Sequence, residues 1–173
     1  MLFRSVGKPL PIYDVRIIDE VGREVAANVV GKIVGRSEFM MSRYASHAPM
    51  ESWAPPASDD EALRFIVPGD LGYLDPDGYL VVCDRAKDAV LADGEYIFPS
   101  QIESFIASTF LPIDVAVKVH ANNAGGLGSV VIHLVPPLGA PAPIDGIVAQ
   151  VDAHFGLGGR VTLNRVDAIP RNG

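Results

Sequence analysis

Apolar and polar residues alternate through "YDVRIIDEVGREV", Tyr13 to Val25. A period of two predicts strands, because successive side chains of a strand point to opposite faces. Gly22 lies in the polar break, so two strands joined by a turn are expected. "VVGKIVGRSEFMMSRY" predicts a further strand pair, broken at Gly35. From Ala45 to Arg64 the period is lost among Pro, Ala, Asp and Glu, and a long surface loop is expected. Alternation returns in "RFIVPGDLGYLDPDGYLVVCDR" on both sides of Asp75-Pro76-Asp77-Gly78. Proline presets one turn dihedral and glycine accepts a positive one, so this stretch predicts a hairpin. The first half reads as nearly all β.

The period then changes. Pro99 stands where a helix can begin, and Ile102, Phe105, Ile106 and Phe110 follow at helical spacing. "IDVAVKVH" and "GSVVIHLVPP" read as strands around the glycine-rich "NNAGGLG". Ile144, Ile147, Val148 and Val151 fall on one helical stripe, and "RVTLNRVDAI" reads as a last strand. Helix, strand, strand, helix, strand describes a small open-faced α+β sandwich. The shift in composition falls between Cys83 and Ala86, which predicts two units, 1–84 and 85–173.

Composition narrows the function. The hydrophobic share of 49% is enough for a packed core. A net charge of −7 argues against nucleic acid and anionic membranes, which need a basic face. One local basic cluster could still hold a small anion. The single Cys83 excludes an internal disulfide and a cysteine-rich metal site, and fits a reducing, cytoplasmic setting. No apolar run approaches the roughly 18 residues of a membrane span, and no leader is read at the start.

Two stretches carry candidate chemistry. Asp70, in "PGDLGYLDPDGYL", is presented at a strand end, where a carboxylate can accept two hydrogen bonds from a vicinal diol such as a ribose. The alternative is a turn aspartate capping its own backbone. In "DRAKD", Arg85 offers a planar cationic fork suited to a hydroxyl or phosphate oxygen, with Lys87 and Asp88 following. The alternative is a solvated corner between strands. "NNAGGLG" lacks both a following lysine and a helix opening on it, so it reads as a hairpin loop and not a phosphate loop. His47, His120, His133 and His154 show no metal-like spacing, and no metal site is expected. No nucleophile elbow or Ser/His/Asp set is present, and "SDDEA" reads as a helix start or solvated loop.

The order of the pieces says more than any single one. "VGKPLPIYDVRIIDEVGREVAANVVGKIVGR", "GDLGYLDPDGYL", "DRAKDAVLADGEYIFPSQIE" and "IPRNG" together resemble the C-terminal part of adenylate-forming enzymes. That superfamily includes acyl- and aryl-CoA ligases, adenylation domains and luciferases. The resemblance implies an α+β fold: a β-rich, distorted barrel-like subdomain closing a large domain, then a small mobile lid with a central sheet and flanking helices. It implies activation of a carboxylic acid with ATP and Mg²⁺, then acyl transfer to the thiol of coenzyme A or of a phosphopantetheine-bearing acyl or peptidyl carrier protein. By match to the motifs, Asp70 and Arg85 would contact the ribose of ATP or AMP. Lys87 would be the hinge, and Gly94 would lie where the pantetheine arm passes. "GEYIFPSQIE" is closer to acyl- and aryl-CoA ligases, fatty acid metabolism among them, than to amino-acid adenylation domains.

The sequence departs from the family pattern at three places. Pro68 precedes Gly69-Asp70 where threonine is usual, Asp84 replaces a glycine, and Gln101 replaces a common glutamate. The phosphate loop and the Tyr-Gly-x-Thr-Glu segment would lie upstream. The catalytic lysine would follow Gly173. The chain is therefore expected to be a fragment, inactive alone, with the acid pocket elsewhere. The alternative is a non-catalytic module of the same lid fold that docks a carrier protein.

Overall fold

The computed structural model describes residues 5–41, 50–55, 64–110, 114–136 and 144–169. His47, most of the Ala45–Arg64 stretch, the side chain of Ile144 and Pro170–Gly173 lie outside the described residues. The chain divides into two compact units between Ala86 and Lys87.

The first unit is all β. Its strands are β1 (Ser5–Gly7), β2 (Asp14–Ile18), β3 (Gly31–Arg36), β4 (Ser52–Trp53), β5 (Phe65–Ile66), β6 (Asp70–Leu74) and β7 (Leu80–Arg85). They form one antiparallel sheet in the order β1-β7-β6-β3-β5-β4, with β2 also on β3. The path does not close on itself, so no barrel forms among the described residues. Ile18, Val34 and Phe65 make its core, with Trp53 and Val67 packed against them. Trp53 meets Phe65 edge-on at 5.2 Å and donates its indole N–H to the Gly22 carbonyl at 3.0 Å.

Two strand expectations fail here. The stretch after Gly22 gives only an isolated bridge, Ile18 to Glu24, and β2 pairs instead with β3. The Asp19 carboxylate accepts the N–H groups of Val21 and Arg23, which closes a tight turn and draws the chain out of the ladder. Gly35 does not break a strand pair. It lies inside β3, where it faces both Val15 and Ile66. The β6–β7 hairpin forms as the turn chemistry predicts. Asp75 Oδ1 accepts the N–H groups of Asp77 and Tyr79, and Gly78 takes φ 81°.

The second unit holds β8 (Val90–Ala92), β9 (Glu95–Ile97), α1 (Pro99–Phe110), β10 (Asp114–Ala121), β11 (Leu127–Val135), α2 (Ile144–Phe155) and β12 (Val161–Arg165). β10 and β11 are antiparallel, and α2 carries the chain across so that β12 runs parallel to β11. Ile102 and Ile106 of α1 and Ile147 and Val151 of α2 share one core with Val130, Ile132 and Leu134 of β11. Alternate residues of β11 therefore face the helices, while His133 takes the opposite face. Asn122–Gly126 is a hairpin loop, organised by Asn122 Oδ1 accepting the N–H groups of Ala124 and Gly126. Among the described residues no helix is long and apolar enough to cross a membrane.

One side chain ties α1 to the edge of this sheet. Glu103 Oε1 accepts the Val117 N–H of β10 at 2.8 Å. Removing that acceptor leaves a part-buried donor unpaired, a loss of about 1–3 kcal/mol. Glu103→Ala should lower the urea midpoint accordingly, and Glu103→Gln, which keeps an acceptor, should recover most of it. Midpoints unchanged from the parent chain in both variants would show that the bond contributes nothing net.

Candidate functional site

Asp70 opens β6 and Arg85 ends β7, directly across the ladder. Their side chains meet, with Arg85 Nε 3.1 Å from Asp70 Oδ1. Arg85 Nη1 also donates to the Pro68 carbonyl at 3.2 Å. Gly69, at φ 84°, turns the chain between these two acceptors, and its carbonyl takes the Ala86 N–H at 2.9 Å. The guanidinium is thus held from two sides by the Pro68-Gly69-Asp70 corner. Asp70 does not cap its own turn: one oxygen of its carboxylate meets Arg85 across the strands.

This arrangement leaves donors and acceptors over. A carboxylate has about four lone-pair sites and a guanidinium five N–H groups. One carboxylate oxygen and two guanidinium N–H groups are engaged. The Asp70 side chain is 28% exposed and that of Arg85 58%. An exposed pair of this kind contributes little to stability, in the range of about 0–1 kcal/mol. Its chemical content is an acceptor beside a fixed cation, which suits a diol close to a phosphate.

Lys87 follows in an exposed turn at residues 86–88 and is the first residue of the second unit. Gly94 belongs to that unit. It sits with Asp93 at the tip of the β8–β9 ribbon, where Ala92 pairs Glu95. Both tip residues have positive φ, 53° at Asp93 and 85° at Gly94, the signature of a type I′ turn. A Cβ on Gly94 would meet nothing within 4 Å. Glycine is therefore set there by backbone conformation, and the space beside it is open.

Sequence reasoning missed Pro68 and Gly72. Pro68 acts through its carbonyl, which no side-chain pattern reveals. Gly72 lies inside a strand, and an isolated glycine in a strand pattern does signal a bulge or a close backbone approach. The neighbouring Cys83 is buried, and burial with Asp84 beside it pushes its thiol up to about 12. At neutral pH it is a protonated thiol and a poor nucleophile. Among the described residues no three His, Cys, Asp or Glu side chains gather to hold a metal ion.

The chain belongs to the adenylate-forming superfamily, as its relatives show. No protein-family model matches the sequence. The fatty acid–[acyl-carrier-protein] ligase ScoC of Streptomyces coeruleorubidus is 30% identical over 176 residues, covering 99% of this chain and 32% of ScoC. Among solved structures, ATP-bound MatB from Rhodopseudomonas palustris matches with a TM-score of 0.73 at 26% identity. The o-succinylbenzoate CoA synthetase MenE from Bacillus subtilis, in complex with its acyl-adenylate, matches with a TM-score of 0.71 at 26% identity. Each match covers 97% of this chain and 33% of the other. The chain thus spans about a third of the length of these relatives.

Proposed function

We propose that this chain is part of an ATP-dependent acid–thiol ligase and supplies the ribose contacts and the hinge. In that reading a substrate carboxylate attacks the α-phosphorus of ATP, pyrophosphate leaves and an acyl-adenylate forms. A thiol of coenzyme A or of a carrier protein then attacks the acyl carbon, and AMP leaves. Asp70 accepts the ribose hydroxyls, Arg85 fixes Asp70 and faces the same ribose, and Lys87 is the pivot for the second unit. Gly94 borders the passage of the pantetheine arm. The observation that carries the reading is the Asp70–Arg85 corner, one residue before the division at Ala86 and Lys87. The ligase names of the relatives and the ATP and adenylate in their structures support it. The cytoplasm is the proposed location, in keeping with one buried cysteine.

The test uses AMP on the 173-residue chain. Titration should move the amide resonances of residues 69–72 and 84–86, and Asp70→Ala should abolish those shifts. Shifts confined to other residues, or none, would remove the ribose reading.

The pivot makes its own prediction. A hinge must be wet and must absorb a dihedral change. Trypsin should cut first after Arg85 or Lys87 and leave a core of each unit, and amides of residues 87–89 should exchange faster than those of β7 and β8. Uniform protection through Lys87 would count against a hinge there.

A further inference from the structure

The β6–β7 ladder changes register once, between Leu71 and Gly72. On the turn side, Leu74 faces Leu80, Tyr73 faces Val81 and Gly72 faces Val82. Beyond the shift, Leu71 faces Asp84 and Asp70 faces Arg85. Continuing the first register would set Leu71 against Cys83 and Asp70 against Asp84. Two carboxylates directly opposite on one face repel each other. One extra residue in β7 replaces that pair with an ion pair.

The bulge also decides where Arg85 points. Val81 and Cys83 are buried, 6% and 7% exposed. In a regular strand the residue two positions further would share their inward face. Arg85 instead turns outward, with its side chain 58% exposed. Re-aiming a side chain at the end of a strand is what a bulge does.

The facing strand shows what admits the bulge. A Cβ on Gly72 would run into the Val81 carbonyl oxygen and would lie 2.8 Å from Ile33 Cδ1. A methyl end can move aside, but a backbone carbonyl held in a ladder cannot. Gly72 is not one of the glycines with positive φ, so space and not conformation requires it.

We infer that Gly72, with the one-residue bulge it admits in β7, positions the site: it makes Arg85 rather than Asp84 the partner of Asp70 and turns Arg85 outward. Gly72 is a positioning residue. The consequence for nucleotide binding rests on the ribose reading above; the register does not.

Three variants of the 173-residue chain test this: Gly72→Ala, deletion of Asp84, and the two combined. Deleting Asp84 gives a regular ladder in which Cys83 faces Leu71 inward and Arg85 still faces Asp70 outward. Cross-strand nuclear Overhauser contacts report the register, and the Arg85 Nε–H resonance reports the ion pair. The Asp84 deletion should keep the Asp70–Arg85 contact. Gly72→Ala alone should lose it or fail to fold, and the combined variant should fold and regain it. Retention of the contact in Gly72→Ala would overturn the inference, as would its loss in the Asp84 deletion or a combined variant that does not fold. AMP affinity should follow the register, at least tenfold weaker wherever the contact is lost. Should the register behave as expected while AMP affinity ignores both Gly72→Ala and Asp70→Ala, the ribose reading alone falls.

Discussion

Asp70→Ala, in a full-length ligase carrying this segment, should slow adenylate formation about ten- to a hundredfold. A hydrogen bond to a charged group contributes about 1.5–3 kcal/mol, and each 1.4 kcal/mol is about a factor of ten in rate. The loss should appear in acid-dependent pyrophosphate exchange. Stability should hardly change. The Asp70–Arg85 pair is partly exposed, and such pairs contribute at most about 1 kcal/mol. Arg85 also keeps the Pro68 carbonyl as a partner. Asp70→Asn should fall between, because it retains one acceptor oxygen and loses the charge. A melting temperature that falls in step with activity would mean that Asp70 holds the corner together and does not hold the nucleotide.

Gly94 offers the second large effect, and two substitutions with opposite rank orders decide what the glycine is for. Its φ of 85° disfavours any side chain, yet a Cβ there meets only open space. Asparagine tolerates positive φ better than alanine does, because its short polar side chain bonds locally. If backbone conformation is the whole role, Gly94→Ala should be the worse variant. It should destabilise the ribbon by about 1 kcal/mol or more, and both half-reactions should fall together. If the pantetheine arm passes beside Gly94, Gly94→Asn should be worse, since it projects further into that space. Thioester formation should then fall at least tenfold with pyrophosphate exchange near normal, a loss of about 1.4 kcal/mol in that step alone. Measuring both half-reactions and the melting temperature of each variant settles the order. A larger thioester loss for alanine would remove the passage.

Much of the fold was legible because it is encoded between near neighbours. The helical spacing of Ile102 and Ile106 after Pro99 gave α1, and Asp75-Pro76-Asp77-Gly78 gave the β6–β7 turn. The order of the motifs gave the superfamily. The β8–β9 ribbon was not legible as a period, although Asp93-Gly94 at its tip is a hairpin signal. Three residue pairs are too few to set up an alternation, so the ribbon shows itself only through its pairing.

By itself, then, the sequence determined the periods, the turns and the change from β to α+β near Ala86. These depend on residues close together in the chain, where spacing fixes the face and turn chemistry fixes the bend. Only the tertiary structure decided pairing. β2 left its hairpin neighbour for β3, Gly35 stayed inside a strand, and one extra residue in β7 put Arg85 rather than Asp84 opposite Asp70. Pairing is decided by strand edges, core packing and the room beside a glycine such as Gly72. Those are contacts between distant parts of the chain, and no local pattern carries them.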